Sequence, residues 1–236
     1  MDKYSILKQY YGHSAFRAGQ EALIDAILSG RDALCVMPTG GGKSLCYQIP
    51  ALLLPGITLV VSPLISLMKD QVAALKSAGV PAAYINSSLT GEQIRTVYAR
   101  TRKGAYKLIY VAPERLETNS FLSLMQEMDV SFLAVDEAHC ISQWGQDFRP
   151  SYLGIVDFIN ALPRRPIVAA YTATATKQVQ SDILRLLQLQ SPYRIVTGFD
   201  RPNLYFAVQH PTSKLAAVWQ LVRERSEKSG IVYCNT

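Results

Sequence analysis

The chain has 236 residues, about half of them apolar, which suffices for one large domain or for one domain with part of a second. No apolar run reaches the roughly 20 residues that a membrane-spanning helix needs. The first 20 residues lack the apolar segment of a secretory signal. These features predict a cytoplasmic protein without a membrane partner. The net charge of +6 permits a nucleic-acid partner but is too weak to establish one.

The four cysteines are scattered along the chain. Cys35, Cys46, Cys140 and Cys234 form no CxxC pair, so we expect neither a zinc site nor a disulfide framework. The first three lie in or beside apolar runs, which predicts buried, reduced thiols.

Short β-branched runs alternate with amphipathic segments along most of the chain. Runs that are apolar on both faces are typical of parallel strands covered by helices. The pattern therefore predicts an α/β fold, a doubly wound parallel sheet with helices on both faces. The predicted strands are 33–37, 57–61, 82–85, 107–111, 132–136, 167–171 and 194–197.

Two helix starts carry capping signals. Ser62 before Pro63 is typical of an N-cap followed by proline at the first helical position. Thr90 with Gln93 fits a capping box. We therefore expect one helix to begin at Pro63 and another just after Thr90.

A turn-rich segment, FDRPN at 199–203, divides the chain. It is followed by a predicted strand at 204–208, a helix at 214–226 and a strand at 230–234. So short a segment cannot bury a core of its own. We expect residues 1–198 to form the first domain, 199–203 a linker, and 204–236 the truncated start of a second α/β domain.

A glycine-rich stretch, MPTGGGKS, follows the strand at 33–37 and opens a predicted helix, 43–54. That context is typical of a P-loop, in which backbone N–H groups and the helix N-terminus hold phosphate. Lys43 would reach the β- and γ-phosphates, and Ser44 would bind Mg²⁺. Met37 stands where the general pattern has glycine. The residues predicted to bind ATP here are Met37, Pro38, Thr39, Gly40, Gly41, Gly42, Lys43 and Ser44.

A pair of carboxylates, Asp136 and Glu137, follows the strand at 132–136 within the sequence DEAH. Parallel strands deliver such residues to the edge of the sheet where the P-loop also lies. Asp136 would hold Mg²⁺, and Glu137 would orient or deprotonate the attacking water. Alone, such a pair is more typical of a solvated cap. Together with the P-loop it predicts that Lys43, Asp136 and Glu137 are catalytic.

With Thr172-Ala173-Thr174 after another strand, these motifs resemble the motor of superfamily 2 helicases. Further stretches resemble the RecQ family: SPLISLMKDQV, APERL, FDRPNL, GIVYCNT and, most distinctively, SQWGQDFRPSY at 142–152, here called the aromatic loop. The resemblance implies that 1–198 is a RecA-like ATP-binding domain and that 204–236 begins a second RecA-like domain.

The same resemblance implies an activity. RecQ-type motors couple ATP hydrolysis, with Mg²⁺, to 3′-to-5′ travel along single-stranded DNA and separate duplexes at junctions. We therefore expect a role in DNA repair and recombination, in the cytoplasm or, in a bacterium, at the nucleoid.

Near the N-terminus, FRAGQ resembles the family's adenine-reading motif. Gln20 would form a bidentate pair with adenine, and Arg17 would support it. A solvated glutamine at a helix start is the alternative. An aromatic residue just upstream normally stacks on the base, and either His13 or Tyr11 would take that role.

The resemblance also implies a DNA side to the domain. Trp144 and Phe148 would lie between ATP and DNA and stack on unpaired bases, although packing in the core is an alternative. Arg149 would pair with phosphate or with the DEAH carboxylates. Solvated-surface or strand-end roles are the alternatives for the remaining motif residues. The residues assigned to DNA contact or coupling are Ser66, Lys69, Arg115, His139, Trp144, Phe148, Arg149, Thr172 and Thr174.

Other functions remain open. In this superfamily a second lobe supplies an arginine that speeds hydrolysis. We therefore expect this chain alone to bind Mg·ATP and DNA weakly, to hydrolyse ATP slowly and not to unwind DNA. The alternatives are a superfamily 2 RNA helicase and a non-catalytic lobe that binds nucleotide or DNA. A P-loop kinase is disfavoured because nothing resembles a small-substrate lid.

Overall fold

The computed structural model describes residues 2–198 and 204–234. It divides into two compact units, Met1–Phe199 and Asp200–Thr236, and each is described by itself. The predicted linker, 199–203, lies outside the described residues. All residues predicted for the nucleotide and DNA sites belong to the first unit.

In the first unit, the described residues form one parallel sheet of seven strands. The strands are β1 Ala33–Val36, β2 Ile57–Val61, β3 Ala82–Ile85, β4 Leu108–Val111, β5 Val130–Val135, β6 Ile167–Thr172 and β7 Tyr193–Val196. Their order in the sheet is β3-β4-β2-β5-β6-β1-β7. The first six strands are apolar runs covered on both faces, whereas alternate residues of the edge strand β7 are exposed. Every strand predicted for this unit is confirmed to within two residues.

Helices connect the strands and complete the predicted doubly wound fold. Two short 3₁₀ helices lie at the aromatic loop: Ala138–Ile141 directly precedes it, and Pro150–Tyr152 forms its end. Among the described residues, no helix combines the length and apolar character that a bilayer span requires. The α-helices of this unit are α1 Lys3–Tyr11, α2 Gln20–Leu28, α3 Lys43–Leu53, α4 Ile65–Ser77, α5 Gly91–Arg102, α6 Pro113–Leu116, α7 Asn119–Glu127, α8 Gly154–Ala161 and α9 Lys177–Leu186.

One of the two capping predictions is confirmed and the other is wrong. Thr90 and Gln93 form the predicted capping box at the start of α5. Ser62 does not cap a helix, because its N–H still donates to the carbonyl of Val111 in the sheet, at 3.1 Å. The chain therefore turns later, and α4 begins at Ile65.

The core lies on both faces of the sheet, as the alternation of side chains along each strand requires. Leu34 and Val36 pack on one face with α7, α8 and α9, while Ala33 and Cys35 pack on the other with α2, α3 and α4. Cys46 and Cys140 are also buried, as predicted. Burial raises the pKa of the Cys35 thiol to about 12, which keeps it protonated.

The second unit contains one helix among its described residues, α10 Lys214–Glu224. The strands predicted at 204–208 and 230–234 are wrong, since neither segment pairs with another within the described part of this unit. Extended backbone becomes a strand only when a neighbour accepts its hydrogen bonds. Apolar side chains such as Tyr205, Ile231 and Tyr233 are accordingly at least 80% exposed.

Candidate nucleotide site and aromatic loop

Three motif segments leave one edge of the sheet. β1 leads into the P-loop, Met37–Ser44; β5 leads into the DEAH segment, Asp136–His139; and β6 leads into Thr172–Thr174. These strands are neighbours in the order β5-β6-β1 and all run in parallel. Their carboxyl ends therefore meet, which is where open α/β sheets bind ligands.

The P-loop has the backbone geometry that only glycine adopts readily. Gly40 and Gly42 have φ values of 82° and 84°, and a Cβ on Gly41 would lie 2.9 Å from the carbonyl oxygen of Pro38. Gly42 occupies the N-cap of α3 without a capping side chain, so the first N–H groups of the helix are free to bind an anion. The Lys43 ammonium donates to the carbonyl of Met37 at 3.1 Å.

Gln20 and Arg17 donate hydrogen bonds to the backbone carbonyls of the P-loop glycines. The Gln20 amide nitrogen donates to the carbonyls of Gly42 at 3.1 Å and Gly41 at 3.3 Å, and its oxygen accepts from the Arg17 N–H at 2.8 Å. The Arg17 guanidinium donates to the carbonyl of Gly40. Gln20 is only 1% exposed, so the alternative of a solvated glutamine is wrong. The sequence did not reveal this support of the P-loop.

Of the two residues predicted to stack on the base, His13 lines the cleft and Tyr11 does not. His13 is exposed and lines the same cleft as Gln20 and Lys43. Tyr11 packs on a small apolar cluster beneath α1, and its buried hydroxyl has no partner among the described residues. Burial raises the pKa of that hydroxyl well above its usual value.

The cleft formed by these elements has a volume of about 440 Å³. Leu67 and Gln71 of α4 also line it, although the sequence did not single them out. Their spacing of four residues, which places them on one face of a helix, was the available signal. The cleft is lined by His13, Ala15, Arg17, Gln20, Thr39, Gly40, Gly42, Lys43, Ser44, Leu45, Leu67, Gln71, Asp136 and Glu137.

The two carboxylates differ in their surroundings. Asp136 is 6% exposed and accepts from the Glu137 N–H at 3.0 Å, and the hydroxyl of Tyr152 donates to its carbonyl at 2.8 Å. Glu137 is half-buried with φ at 47°, an uncommon conformation that often marks functional residues. Burial and the neighbouring charge of Glu137 raise the pKa of the Asp136 carboxyl to about 6.

The donor set fits Mg²⁺. Asp136 supplies a carboxylate whose pKa is raised by burial and by the charge of Glu137, and the Ser44 hydroxyl lines the same cleft. Oxygen ligands of this kind, few in number and completed by water and phosphate, are those that Mg²⁺ prefers. A divalent cation would relieve the cost of burying Asp136.

Replacing Asp136 by asparagine should stabilise the metal-free chain. Near neutral pH the wild-type carboxylate is buried and charged, so its removal should raise the free energy of unfolding by about 1–2 kcal/mol. Because the folded pKa is raised to about 6, wild type binds a proton on folding between about pH 4 and pH 6. The advantage of Asp136→Asn should therefore shrink as the pH falls through this window. Urea unfolding at pH 7 and pH 5 measures both effects, and a destabilised variant at pH 7 would contradict this account.

His139 joins the DEAH segment to the threonines after β6. Its Nδ1 lies 2.9 Å from the hydroxyl of Thr172 and 3.3 Å from the Glu137 carboxylate. The Thr172 hydroxyl in turn donates to the carbonyl of Thr174 at 3.0 Å. His139 is therefore in contact with both the Glu137 carboxylate and the Thr172 hydroxyl.

The aromatic loop presents one side chain openly. Trp144 is 75% exposed, so the alternative that it packs in the core is wrong, whereas Phe148 is half-buried. Arg149 pairs with Asp147 at 2.7 Å and donates to the carbonyl of Pro63 at 3.1 Å. The predicted pairing of Arg149 with the DEAH carboxylates is therefore not observed, because a carboxylate two residues away takes its place.

The remaining predicted DNA contacts follow two adjacent strands. Ser66 and Lys69 are exposed on α4, which follows β2, and Arg115 is half-buried on α6, which follows β4. The Arg115 guanidinium lies 3.5 Å from the carbonyl oxygen of Asn86. Since β2 and β4 are paired and parallel, these residues leave the same edge of the sheet as the P-loop.

Comparison with solved structures supports the fold. The DUF1998 helicase MrfA bound to DNA and AMPPNP aligns with a TM-score of 0.70 and 18% identity over 95% of this chain and 34% of that one. The Hef helicase domain of Pyrococcus furiosus aligns with a TM-score of 0.59 and 21% identity over 76% of this chain and 38% of that one. At these identities the likeness concerns the fold alone.

Sequence comparison supports the family. ATP-dependent DNA helicase RecQ of Haemophilus influenzae is 49% identical over 98% of this chain and 37% of its own length. The Bacillus subtilis protein of the same name is 48% identical over 98% of this chain and 39% of its own length. The chain thus spans less than two fifths of either relative. The profile of the DEAD/DEAH box helicases matches residues 17–182. The chain belongs to the DEAD/DEAH box helicase family and resembles its RecQ-type members over nearly its whole length.

Proposed function

We propose that this chain is the ATP-binding part of a RecQ-type DNA helicase, whose hydrolysis of ATP drives 3′-to-5′ strand separation in DNA repair and recombination. The observation that carries the proposal is the cleft that brings Lys43, Ser44, Asp136 and Glu137 together at one sheet edge. Relatives named as ATP-dependent DNA helicases support the reaction class. A cytoplasmic location, at the nucleoid in a bacterium, fits this role.

The phosphates of ATP would bind to the P-loop. Free N–H groups at the start of α3 and the Lys43 ammonium would neutralise the β- and γ-phosphates. For this, Lys43 must exchange the Met37 carbonyl, which it contacts at 3.1 Å, for phosphate oxygen. When bound, Mg²⁺ would supply charge neutralisation at the γ-phosphate, with Ser44 and Asp136 holding it.

Glu137 would act on the attacking water. It is half-buried beside Asp136 and lines the cleft that holds Lys43. A carboxylate in this position accepts a hydrogen bond from water, aligns it with the γ-phosphate and receives its proton. His139, 3.3 Å from the Glu137 carboxylate, would transmit the state of the γ-phosphate to Thr172.

The adenine base would bind at the other end of the cleft. Gln20 can pair with the base only by exchanging at least one of its bonds to the P-loop carbonyls. Base recognition and P-loop geometry would thus be linked through one amide. His13, exposed at the cleft, is the residue that we propose stacks on the ring, with Arg17 supporting the loop.

Single-stranded DNA, at duplex junctions in particular, would lie along the edge that carries Ser66, Lys69 and Arg115.

We expect Trp144→Ala to weaken the binding of single-stranded DNA about fivefold to a hundredfold, because one stacked base contributes about 1–3 kcal/mol. Titration of a labelled oligonucleotide into the chain measures this effect. The matched control is Gln143→Ala, an exposed neighbour in the same loop.

The same titration separates DNA from RNA. A helicase of the proposed kind should bind single-stranded DNA more tightly than RNA of the same sequence. Equal or tighter binding of RNA would instead favour an RNA helicase of the same superfamily. Unchanged DNA binding by Trp144→Ala would remove the aromatic loop from the DNA site.

A further inference from the structure

A buried serine stands at the base of the aromatic loop. Ser142 is fully buried and follows directly on the 3₁₀ helix Ala138–Ile141 that continues the DEAH segment. Its hydroxyl donates to the Asp182 carboxylate at 2.7 Å and accepts from the Trp144 N–H at 3.2 Å. The Ser142 carbonyl also accepts from the Gly145 N–H at 2.9 Å. Ser142 thus fixes the backbone on both sides of the exposed Trp144.

Asp182 supplies the other half of this contact, from the middle of α9. It is 7% exposed, and its second oxygen accepts from Arg185 at 3.0 Å. The hydrogen bond from Ser142, followed by that from Arg185, holds the pKa of the Asp182 carboxyl below its usual value, so it remains an acceptor at neutral pH. None of the ATP or DNA contacts proposed above uses this carboxylate.

The direction of the Ser142 hydroxyl follows from its single proton. The Ser142 O–H donates its hydrogen bond to the Asp182 carboxylate, and its oxygen lone pair is therefore directed towards the Trp144 N–H. Without Asp182, the hydroxyl is free to rotate and to donate to a nearby carbonyl. The orientation of Trp144 therefore depends on a side chain in a different element.

We infer that Asp182 is a positioning residue for Trp144. α9 begins five residues after Thr172, whose hydroxyl contacts His139. The Asp182–Ser142 contact therefore joins α9 to the loop of Trp144, the residue proposed to meet DNA. A shift of Thr172–Thr174 and α9 would thereby reach the backbone at Trp144 through the Ser142 hydroxyl. The DNA part of this inference rests on the proposed function, whereas the positioning of Trp144 does not.

The test uses the full chain with Trp219→Phe, which leaves Trp144 as the sole tryptophan. Two readouts report on Trp144: its fluorescence anisotropy and the hydrogen exchange of its backbone N–H. In Asp182→Ala we expect lower anisotropy and faster exchange. Ser142→Ala should show the same changes, and the double variant should add nothing, because both residues act through one contact.

Two further variants separate positioning from general stability. Asp182→Asn keeps an oxygen acceptor and should restore both readouts towards wild type. Arg185→Ala removes the second partner of Asp182 but keeps its contact with Ser142, so hydrogen exchange of the Trp144 N–H should stay at the wild-type rate. If Asp182→Ala does not fold, Asp182→Leu, which fills a similar space without an acceptor for the Ser142 hydroxyl, takes its place with the same two readouts.

The outcomes are distinct. Unchanged anisotropy and exchange in folded Asp182→Ala or Ser142→Ala would overturn the inference, as would equal effects of Asp182→Asn and Asp182→Ala. The expected loss of single-stranded DNA affinity in Asp182→Ala is smaller than that in Trp144→Ala, since the indole itself remains. A chain that shows these changes at Trp144 but binds no DNA supports the positioning role and contradicts the proposed function instead.

Discussion

Glu137→Gln should lower ATP turnover by about 10²- to 10⁴-fold while ATP binding stays close to wild type. Glutamine keeps the size of the side chain and its contact distance to His139, but it cannot accept a proton from water. The free energy of binding comes from the P-loop, Lys43 and the residues that would hold Mg²⁺, and the substitution removes none of these groups. Steady-state phosphate release, together with titration of a fluorescent ATP analogue, separates the two effects.

The control for this experiment is Glu92→Gln, a matched change at an exposed residue in the first turn of α5. It should leave both turnover and binding unchanged. If Glu137→Gln turns over ATP as fast as wild type, another group activates the water. If it loses ATP binding in parallel with turnover, Glu137 is part of the binding site and not the proton acceptor.

Asp32→Ala should cost about 3 kcal/mol in the free energy of unfolding, since it removes one partner of a buried ion pair and leaves backbone N–H groups unpaired. Asp32 is 3% exposed at the start of β1. Its carboxylate accepts from the N–H groups of Val168 at 2.9 Å and Gln190 at 2.7 Å, and from Arg165 at 2.6 Å. One side chain thus joins β1 to the chain that enters β6 and β7.

Urea unfolding at pH 7 measures this cost, with Asp70→Ala, an exposed position on α4, as the control. Arg165 is 28% exposed, and for that reason the expected value lies at the lower end for a buried pair. Asp32 lies at the edge of the sheet opposite the P-loop, so ATP binding by the folded variant should be unchanged. A loss of stability equal to that of Asp70→Ala would contradict the role of Asp32.

The sequence predicted the sheet well because burial of both faces leaves a simple signal. Most strands of the first unit are apolar runs between amphipathic helices, and the glycines, lysine and carboxylates at strand ends indicate where the site lies. The prediction of helix starts and strands failed where contacts between distant residues determine the local structure. Ser62 is held in the sheet by Val111, which no local pattern reveals. The segments 204–208 and 230–234 have strand-like composition but no described partner strand.

The contacts that sequence reasoning missed are those between distant residues. Gln20 meets Gly42 across 22 positions and Asp182 meets Ser142 across 40, so neither pairing has a local signal. The residue types were nevertheless informative: glutamine at a helix start and an aspartate on the buried face of α9 both require partners. What the sequence could not supply was which partners the fold brings to them.

If Lys43, Ser44, Asp136 and Glu137 form an ATP site with adenine specificity, titration of ATP and GTP, with and without Mg²⁺, into wild type, Lys43→Ala and Glu137→Gln reveals it directly. We expect Mg²⁺-dependent binding that favours ATP, is retained in Glu137→Gln and is lost in Lys43→Ala. Binding that survives in folded Lys43→Ala, or that is equal for ATP and GTP, would contradict it.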